Sequence, residues 1–293
     1  MRYAVRHTTT YTYDDLVTDS LGVAHLVPRS LPWQDVASYD VQVTPAAGDL
    51  EADVDYYGNH VTYFQVTEPH ATLVVEGAGE IEVVAPVVPD DARATPWEQL
   101  RPLVATGSSV AAPPEAVDFA LASALVDHAA DAVEYAAASL APGRAVGEAV
   151  GELMHRIHAD FDYDRTATTV TSTVKDTMER RAGVCQDFAH LMLACLRAHG
   201  LAARYVSGYL ATEPPPGKER VVGADASHAW VEVWLGGTTW LALDPTNDQE
   251  AGDRYVVVAW GRDYGDVPPL KGVIFTDARR STMQVSVDVA PLG

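Results

Sequence analysis

A cysteine in the opening turn of a helix, a histidine at the start of one strand and an aspartate at the end of the next are the groups that thiol acyl transfer requires. The cysteine is Cys185, within Arg181-Ala182-Gly183-Val184-Cys185-Gln186-Asp187-Phe188. Downstream, Phe188, Leu191, Met192, Cys195 and Leu196 recur at spacings of three and four, which predicts an amphipathic helix beginning at Cys185. Unpaired backbone N–H groups and the positive end of the macrodipole favour a thiolate at that position. Gly183 lets the backbone approach whatever the thiol attacks. A free cysteine is more often a buried core residue, so the helix alone leaves both roles open. A thiol nucleophile also needs a base, and the base needs a third group to orient it. His228 opens the alternating stretch His228-Ala229-Trp230-Val231-Glu232-Val233, and Asp244 ends Trp240-Leu241-Ala242-Leu243-Asp244. Gly236-Gly237 joins the two as a hairpin, and about eight residues separate each from the turn centre, so both reach the same end.

The elements that must hold these groups fall into an α+β order. Residues 1–90 carry short β-branched or aromatic runs: Tyr3 and Val5, Thr8 to Tyr13, Val41 and Val43, Val54 and Tyr56, Val61 to Val66, Leu73 to Val75, Ile81 to Val84. Turn residues divide them, including a hairpin at Tyr57-Gly58-Asn59-His60, which predicts an N-terminal antiparallel β domain, sandwich-like or barrel-like. His60 in that turn reads as solvated. Residues 91–114 form a Pro-rich linker with a short helix near Trp97 to Val104. The core, 115–293, starts with helical segments at Glu115 to Leu140 and Arg144 to Asp160. It continues through the Cys185 helix into strands at Ala203 to Leu210, His228 to Leu235, Trp240 to Leu243 and Tyr255 to Trp260, with an exposed loop at Pro214 to Lys218. Met283 to Val289 is expected as the strand that closes the chain. Helices packed on an antiparallel sheet result.

Composition narrows the partners. The chain of 293 residues carries a formal charge of −21, which argues against a nucleic-acid backbone or an anionic membrane surface. Solubility is the simpler reason for the acidity. Cys185 and Cys195 lie about 15 Å apart along one helix, too far for a disulfide, and two free thiols suit a reducing compartment. Met1 to Asp15 has no apolar signal core, and no run approaches the length of a membrane span. A cytoplasmic location is expected. No metal or cofactor is called for. His155 and His158 lack a third ligand. Asp160, Asp162 and Asp164 open like a calcium loop, but Arg165 and Thr171 stand where glycine and glutamate are needed. Gly77-Ala78-Gly79 joins strands and lacks a third glycine.

Three motifs carry a family resemblance: Gly183-Val184-Cys185-Gln186-Asp187-Phe188-Ala189, Ser227-His228-Ala229-Trp230-Val231-Glu232 and Leu243-Asp244-Pro245-Thr246-Asn247. They resemble the core motifs of bacterial transglutaminase-like proteins, members of the papain-like transglutaminase superfamily. The N-terminal sheet is similar to the domain that precedes the core in that subfamily. The resemblance implies a transglutaminase core in which Cys185 is the nucleophile, His228 the general base and acid, and Asp244 the residue that fixes the imidazole. It implies a cysteine-dependent amide-bond hydrolase, a peptidase or amidase, that acts on a peptide or protein amide through a Cys185 thioester. Two alternatives are an amine-acceptor transglutaminase and a non-catalytic peptide-binding module that keeps the fold. The tryptophan that helps hold the oxyanion in animal transglutaminases has no counterpart between Trp97 and Trp230. Tyr163 is the substitute donor, with the Cys185 backbone N–H. Gln186, Asp187 and Trp230 are the remaining oxyanion or cleft candidates, and His190 is structural. Gly261 to Pro269 is similar to a segment retained in the subfamily and is placed at the cleft wall. The oligomeric state is left open.

Overall fold

Inward-facing Tyr3, Val5, His7 and Thr9 alternate along the first strand, β1 (Arg2–Ala24), which runs for 23 residues. The computed structural model describes residues 1–102, 112–127, 129–212 and 226–292, so the expected Pro214 to Lys218 loop lies outside the described residues. After β1 come β2 (Gln34–Thr44), β3 (Asp49–Val54), β4 (His60–Val66) and β5 (His70–Val83). They form an antiparallel sheet in the order β2-β5-β1-β4-β3. Next are short α1 (Asp90–Ala94), a 3₁₀ turn at Trp97–Leu100, α2 (Pro114–Asp118), α3 (Ala130–Ala137) and α4 (Val146–Asp160). The nucleophile region follows as β6 (Asp162–Tyr163), α5 (Val174–Arg180), β7 (Ala182–Gly183) and α6 (Cys185–Ala198). Then come β8 (Ala203–Leu210), β9 (Ala226–Trp234), β10 (Trp240–Asp244), β11 (Gln249–Glu250), β12 (Tyr255–Gly261), β13 (Leu270–Thr276) and β14 (Ser281–Leu292).

The expected strand at Met283 to Val289 exists within β14, but it does not close the core sheet. It pairs with the first strand, from Arg2 opposite Leu292 to Tyr13 opposite Ser281. The strand β13 pairs with the far half of β1, Ala24 opposite Leu270. The second sheet is antiparallel, β11-β10-β9-β8-β12. Two strands within the expected 115–293 core, β13 and β14, thus pair with the first strand of the N-terminal sheet. An open β1 edge is a row of unpaired backbone groups, and β14 satisfies it while Val287 and Val289 point inward.

One core joins the two sheets. Tyr3, Val5, Ile81, Val83, Val287 and Val289 pack in the same cluster as Val150, Leu153, Leu193 and Val231. The helix α6 at its centre is not amphipathic in its surroundings, since every residue from Gln186 to Arg197 is buried. Its polar members survive because each has a partner. Gln186 donates to the Val170 carbonyl, His190 accepts from the Tyr264 N–H, and Arg197 donates to the carbonyls of Ala203 and Arg262. The N-terminal sheet is pegged to the second by Asn59, fully buried in the predicted hairpin. Its side chain bonds both the N–H and the carbonyl of Trp260. His60, beside it, is exposed.

The helical stretch expected over Glu115 to Leu140 is broken between α2 and α3. There the Leu125 N–H donates to the Asp263 carboxylate at 2.9 Å, and Ser123 and Val126 close a tight turn. A distant carboxylate thus takes a donor that helix continuation would have used. No helix among the described residues is long and apolar enough to cross a membrane.

Candidate active site

The lead-in to Cys185 is held from both sides. Strand β6 pairs parallel with β7, placing Tyr163 opposite Gly183, and the Asp164 N–H donates to the Gly183 carbonyl at 2.9 Å. Asp187, at the third helical position, turns back and accepts from the Val184 N–H at 2.8 Å, which satisfies a backbone donor that the helix start leaves free. The Thr168 hydroxyl donates to the same carboxylate oxygen at 2.6 Å. Burial pushes the Asp187 carboxyl pKa up, against the pull of those hydrogen bonds. Gly183 is required by space: a Cβ there would stand 2.8 Å from the Asp187 Cβ and Oδ2. Cys185 is left half-buried as the first residue of the helix, while Cys195 is fully buried and burial pushes its thiol up to about 12.

His228 and Asp244 meet across the β9–β10 hairpin. Pairing runs from Trp234 opposite Trp240 to Val231 opposite Leu243, with Gly236 and Gly237 in the left-handed conformation at the turn. His228 Nε2 lies 2.7 Å from Asp244 Oδ2, and the Cys185 thiol is close enough to the same imidazole to raise its pKa. With Nε2 turned to the carboxylate, Nδ1 is the ring nitrogen left for the thiol. Burial lowers the His228 pKa, yet the hydrogen bonds to Asp244 and Cys185, with their charges, outweigh it and raise it to about 10. Asp244 is completely buried. Burial raises its pKa, but the bond to His228 and donors from Asn247 and Tyr255 leave it below the ordinary value.

The surroundings of Asp244 include groups with no sequence signal of their own. The Tyr255 hydroxyl, arriving from β12, donates to Asp244 Oδ2 at 2.7 Å, and Asn247 Nδ2 donates to the same oxygen at 2.7 Å. The N–H groups of Thr246 and Asn247 donate to Oδ1 at 2.9 and 3.2 Å. Asn247 was visible as part of the third motif; Tyr255 was not, because strand alternation alone does not report which hydroxyl faces a carboxylate. The turn after Asp244 is clipped to α4 by the two histidines that lacked a third ligand. His158 Nδ1 lies 3.0 Å from the Thr246 carbonyl, and His155 pairs with Asp248. Among the described residues no cluster suited to a metal ion is found.

A cleft of about 280 Å³ is lined by the His228 imidazole together with Tyr163, Arg165, Leu210, Thr212, Thr246 and Asn247. Tyr163 is half-exposed there, its ring edge-on to Phe188. The other candidates lie elsewhere. Trp230 is completely buried behind the imidazole, near-parallel to it at 6.2 Å between centroids. Gln186 and Asp187 are buried in the first turn of α6. The Gly261 to Pro269 segment braces α6 through the Tyr264 N–H to His190 and is not a described cleft wall.

Comparison with known proteins identifies the family. The model for the bacterial transglutaminase-like N-terminal region matches residues 3–82, and that for the transglutaminase-like superfamily matches residues 133–245. An uncharacterized protein of Mycobacterium tuberculosis (strain ATCC 25618 / H37Rv) is 46% identical over 99% of this chain and 93% of its own length. One from Mycobacterium leprae is 34% identical over 99% of both. A protein-glutamine gamma-glutamyltransferase of Pseudomonas aeruginosa is 38% identical over 30% of this chain and 14% of its own. The crystal structure of a candidate cysteine protease from Cytophaga hutchinsonii superposes with a TM-score of 0.75 at 20% identity, covering 100% of this chain and 92% of that one. With the three motifs on one helix start and one hairpin, and a bacterial N-terminal region ahead of them, this chain belongs to the transglutaminase-like superfamily.

Proposed function

We propose that the chain is a cysteine-dependent amide hydrolase, a peptidase or amidase, whose reacting groups are Cys185, His228 and Asp244. The observation that carries this reading is the shared imidazole: it meets a buried carboxylate through Nε2 at 2.7 Å, and it stands within electrostatic reach of the Cys185 thiol. Cys185, as thiolate, attacks the amide carbonyl carbon and forms a C–S bond. The oxyanion is met by the Cys185 backbone N–H at the helix start and by the Tyr163 hydroxyl on the cleft wall. As the C–N bond breaks, the His228 imidazolium gives its proton to the leaving amine. Water then attacks the thioester with His228 as base, the C–S bond breaks, and the carboxylate product leaves. Asp244 orients the imidazole in both of its charge states, and its own five donors keep it ionised.

Hydrolysis is favoured over amine transfer because Cys185 is only half-buried at the helix start and its His228 partner lines a surface cleft, so water has a route to the thioester. The two free thiols suit a reducing, cytoplasmic setting. The test is release of amine and carboxylate from a peptide amide library, with a primary amine added in competition. Wild-type protein is expected to release carboxylate, and Cys185→Ala to lose roughly three orders of magnitude in rate. Turnover that survives Cys185→Ala contradicts the reading, and products consisting only of the amine adduct replace hydrolysis with transamidation.

A further inference from the structure

The chain has 41 acidic and 20 basic side chains, yet the described residues that line the cleft have the opposite sign. Among the described residues that line it, none is a carboxylate, and Arg165 is the one charged side chain besides the His228 imidazole. Asp162 and Asp164 flank Tyr163 but are not on the wall, and the Asp164 carboxylate is taken by the Thr166 N–H at 2.8 Å and hydroxyl at 2.7 Å. Asp244 is buried behind the imidazole. Arg165 itself is exposed and makes no hydrogen bond or ion pair with the described residues. It follows Tyr163 by two positions, so the β6–β7 pairing that fixes Tyr163 beside Gly183 also fixes where Arg165 emerges.

We propose that Arg165 selects acyl donors that carry a carboxylate beside the reacting amide: acidic peptides, or donors with a free α-carboxylate. The inference rests on Cys185 being the reacting thiol. A guanidinium offers a planar fork matched to a carboxylate, and one on a cleft wall that no described residue engages leaves that fork for the substrate. Electrostatic selection at a solvent-open site is modest, and it weakens as salt shortens the screening length.

The experiment needs no known substrate. Three thiol-directed probes differ only in charge: iodoacetyl-glutaminamide, which is neutral; iodoacetyl-glutamine, with a free α-carboxylate; and iodoacetyl-glutamic acid α-amide, with a side-chain carboxylate. Rates of Cys185 modification are followed by peptide mass spectrometry in wild type, Arg165→Gln and Arg165→Glu, with iodoacetamide as a reference. In the wild type at least one anionic probe is expected to react roughly twofold to fivefold faster than the neutral one. That ratio falls toward one in Arg165→Gln and below one in Arg165→Glu, with each rate normalised to the iodoacetamide rate of the same protein. The probe that responds names the source of the carboxylate. Ratios that do not move with Arg165 for either anionic probe overturn the proposal and leave the thiol reading intact. A Cys185 inert to iodoacetamide overturns that reading, and the proposal with it.

Discussion

At the residue scale, the central feature is the unequal treatment of the two partners of the imidazole. Asp244 is buried and saturated with donors, while Cys185 is half-buried and within electrostatic reach of the ring. The charge state of His228 couples to stability in a definite direction. Its pKa is raised to about 10, so the protonated imidazole contributes its full stabilisation below about pH 6.5, the ordinary value, and loses it as pH rises toward the folded value. Asp244 is lowered, so its contribution is present above about pH 3.9, its ordinary value, and fades as pH falls through the folded one. Asp244→Asn is therefore expected to destabilise most between about pH 4 and 6.5 and progressively less toward pH 10. Denaturant titration of both proteins across that range checks this. A stability gap that stays constant, or widens above pH 7, contradicts the assignment of an imidazolium paired with Asp244.

Elements place these residues through local close approach. The first turn of α6 depends on Asp187 folding back over Gly183, where no Cβ fits. Gly183→Ala must push Asp187 off the Val184 N–H. A loss of about 1–3 kcal/mol is expected from overpacking, together with slower Cys185 alkylation at neutral pH. Unfolding midpoints and alkylation rates that match the wild type refute that role for the glycine. The hairpin and helix start were legible in the sequence because they are local: a Gly-Gly turn, a residue count and a periodicity determine where Cys185, His228 and Asp244 sit along their elements. Contributions from distant elements were not legible. Tyr255 reaches Asp244 from another strand, and Asp263 interrupts the expected helix by taking the Leu125 N–H. The burial of α6 on all sides was hidden by Asp187, His190 and Arg197, whose hydrogen-bond partners Thr168, Tyr264 and Ala203 lie outside the helix.

Taken whole, the molecule is closed by its own ends. Alternation in Met283 to Val289 announced a strand, but alternation is the same for any sheet, so its pairing with β1 could not be read in advance. The consequence is that the N-terminal β region is incomplete within residues 1–90. It lacks β13 and β14, and Tyr3, Val5, Ile81 and Val83 bury their side chains in a core shared with α4, α6 and β14. A fragment of residues 1–90 is expected to remain unfolded or to aggregate through its open β1 edge, and deletion of residues 281–293 to abolish the cooperative unfolding of the whole chain. Circular dichroism and calorimetry check both. A folded fragment with its own thermal transition contradicts the shared core. The net charge of −21 belongs to this scale also: it describes the outer surface, and the cleft, with Arg165 and His228 as its described charged groups, departs from it.

The central claim is that Cys185 and His228 form a reactive pair, and it is tested most directly by the pH profile of Cys185 alkylation by iodoacetamide, read by mass spectrometry in wild type and His228→Ala. The buried Cys195 serves as an internal control within the same helix. The account predicts selective reaction at Cys185 that persists below about pH 7 in the wild type and is lost in the variant. Reaction that rises only near the ordinary thiol value of about pH 8.5, with the same profile in both proteins, contradicts it and leaves a fold that binds without reacting.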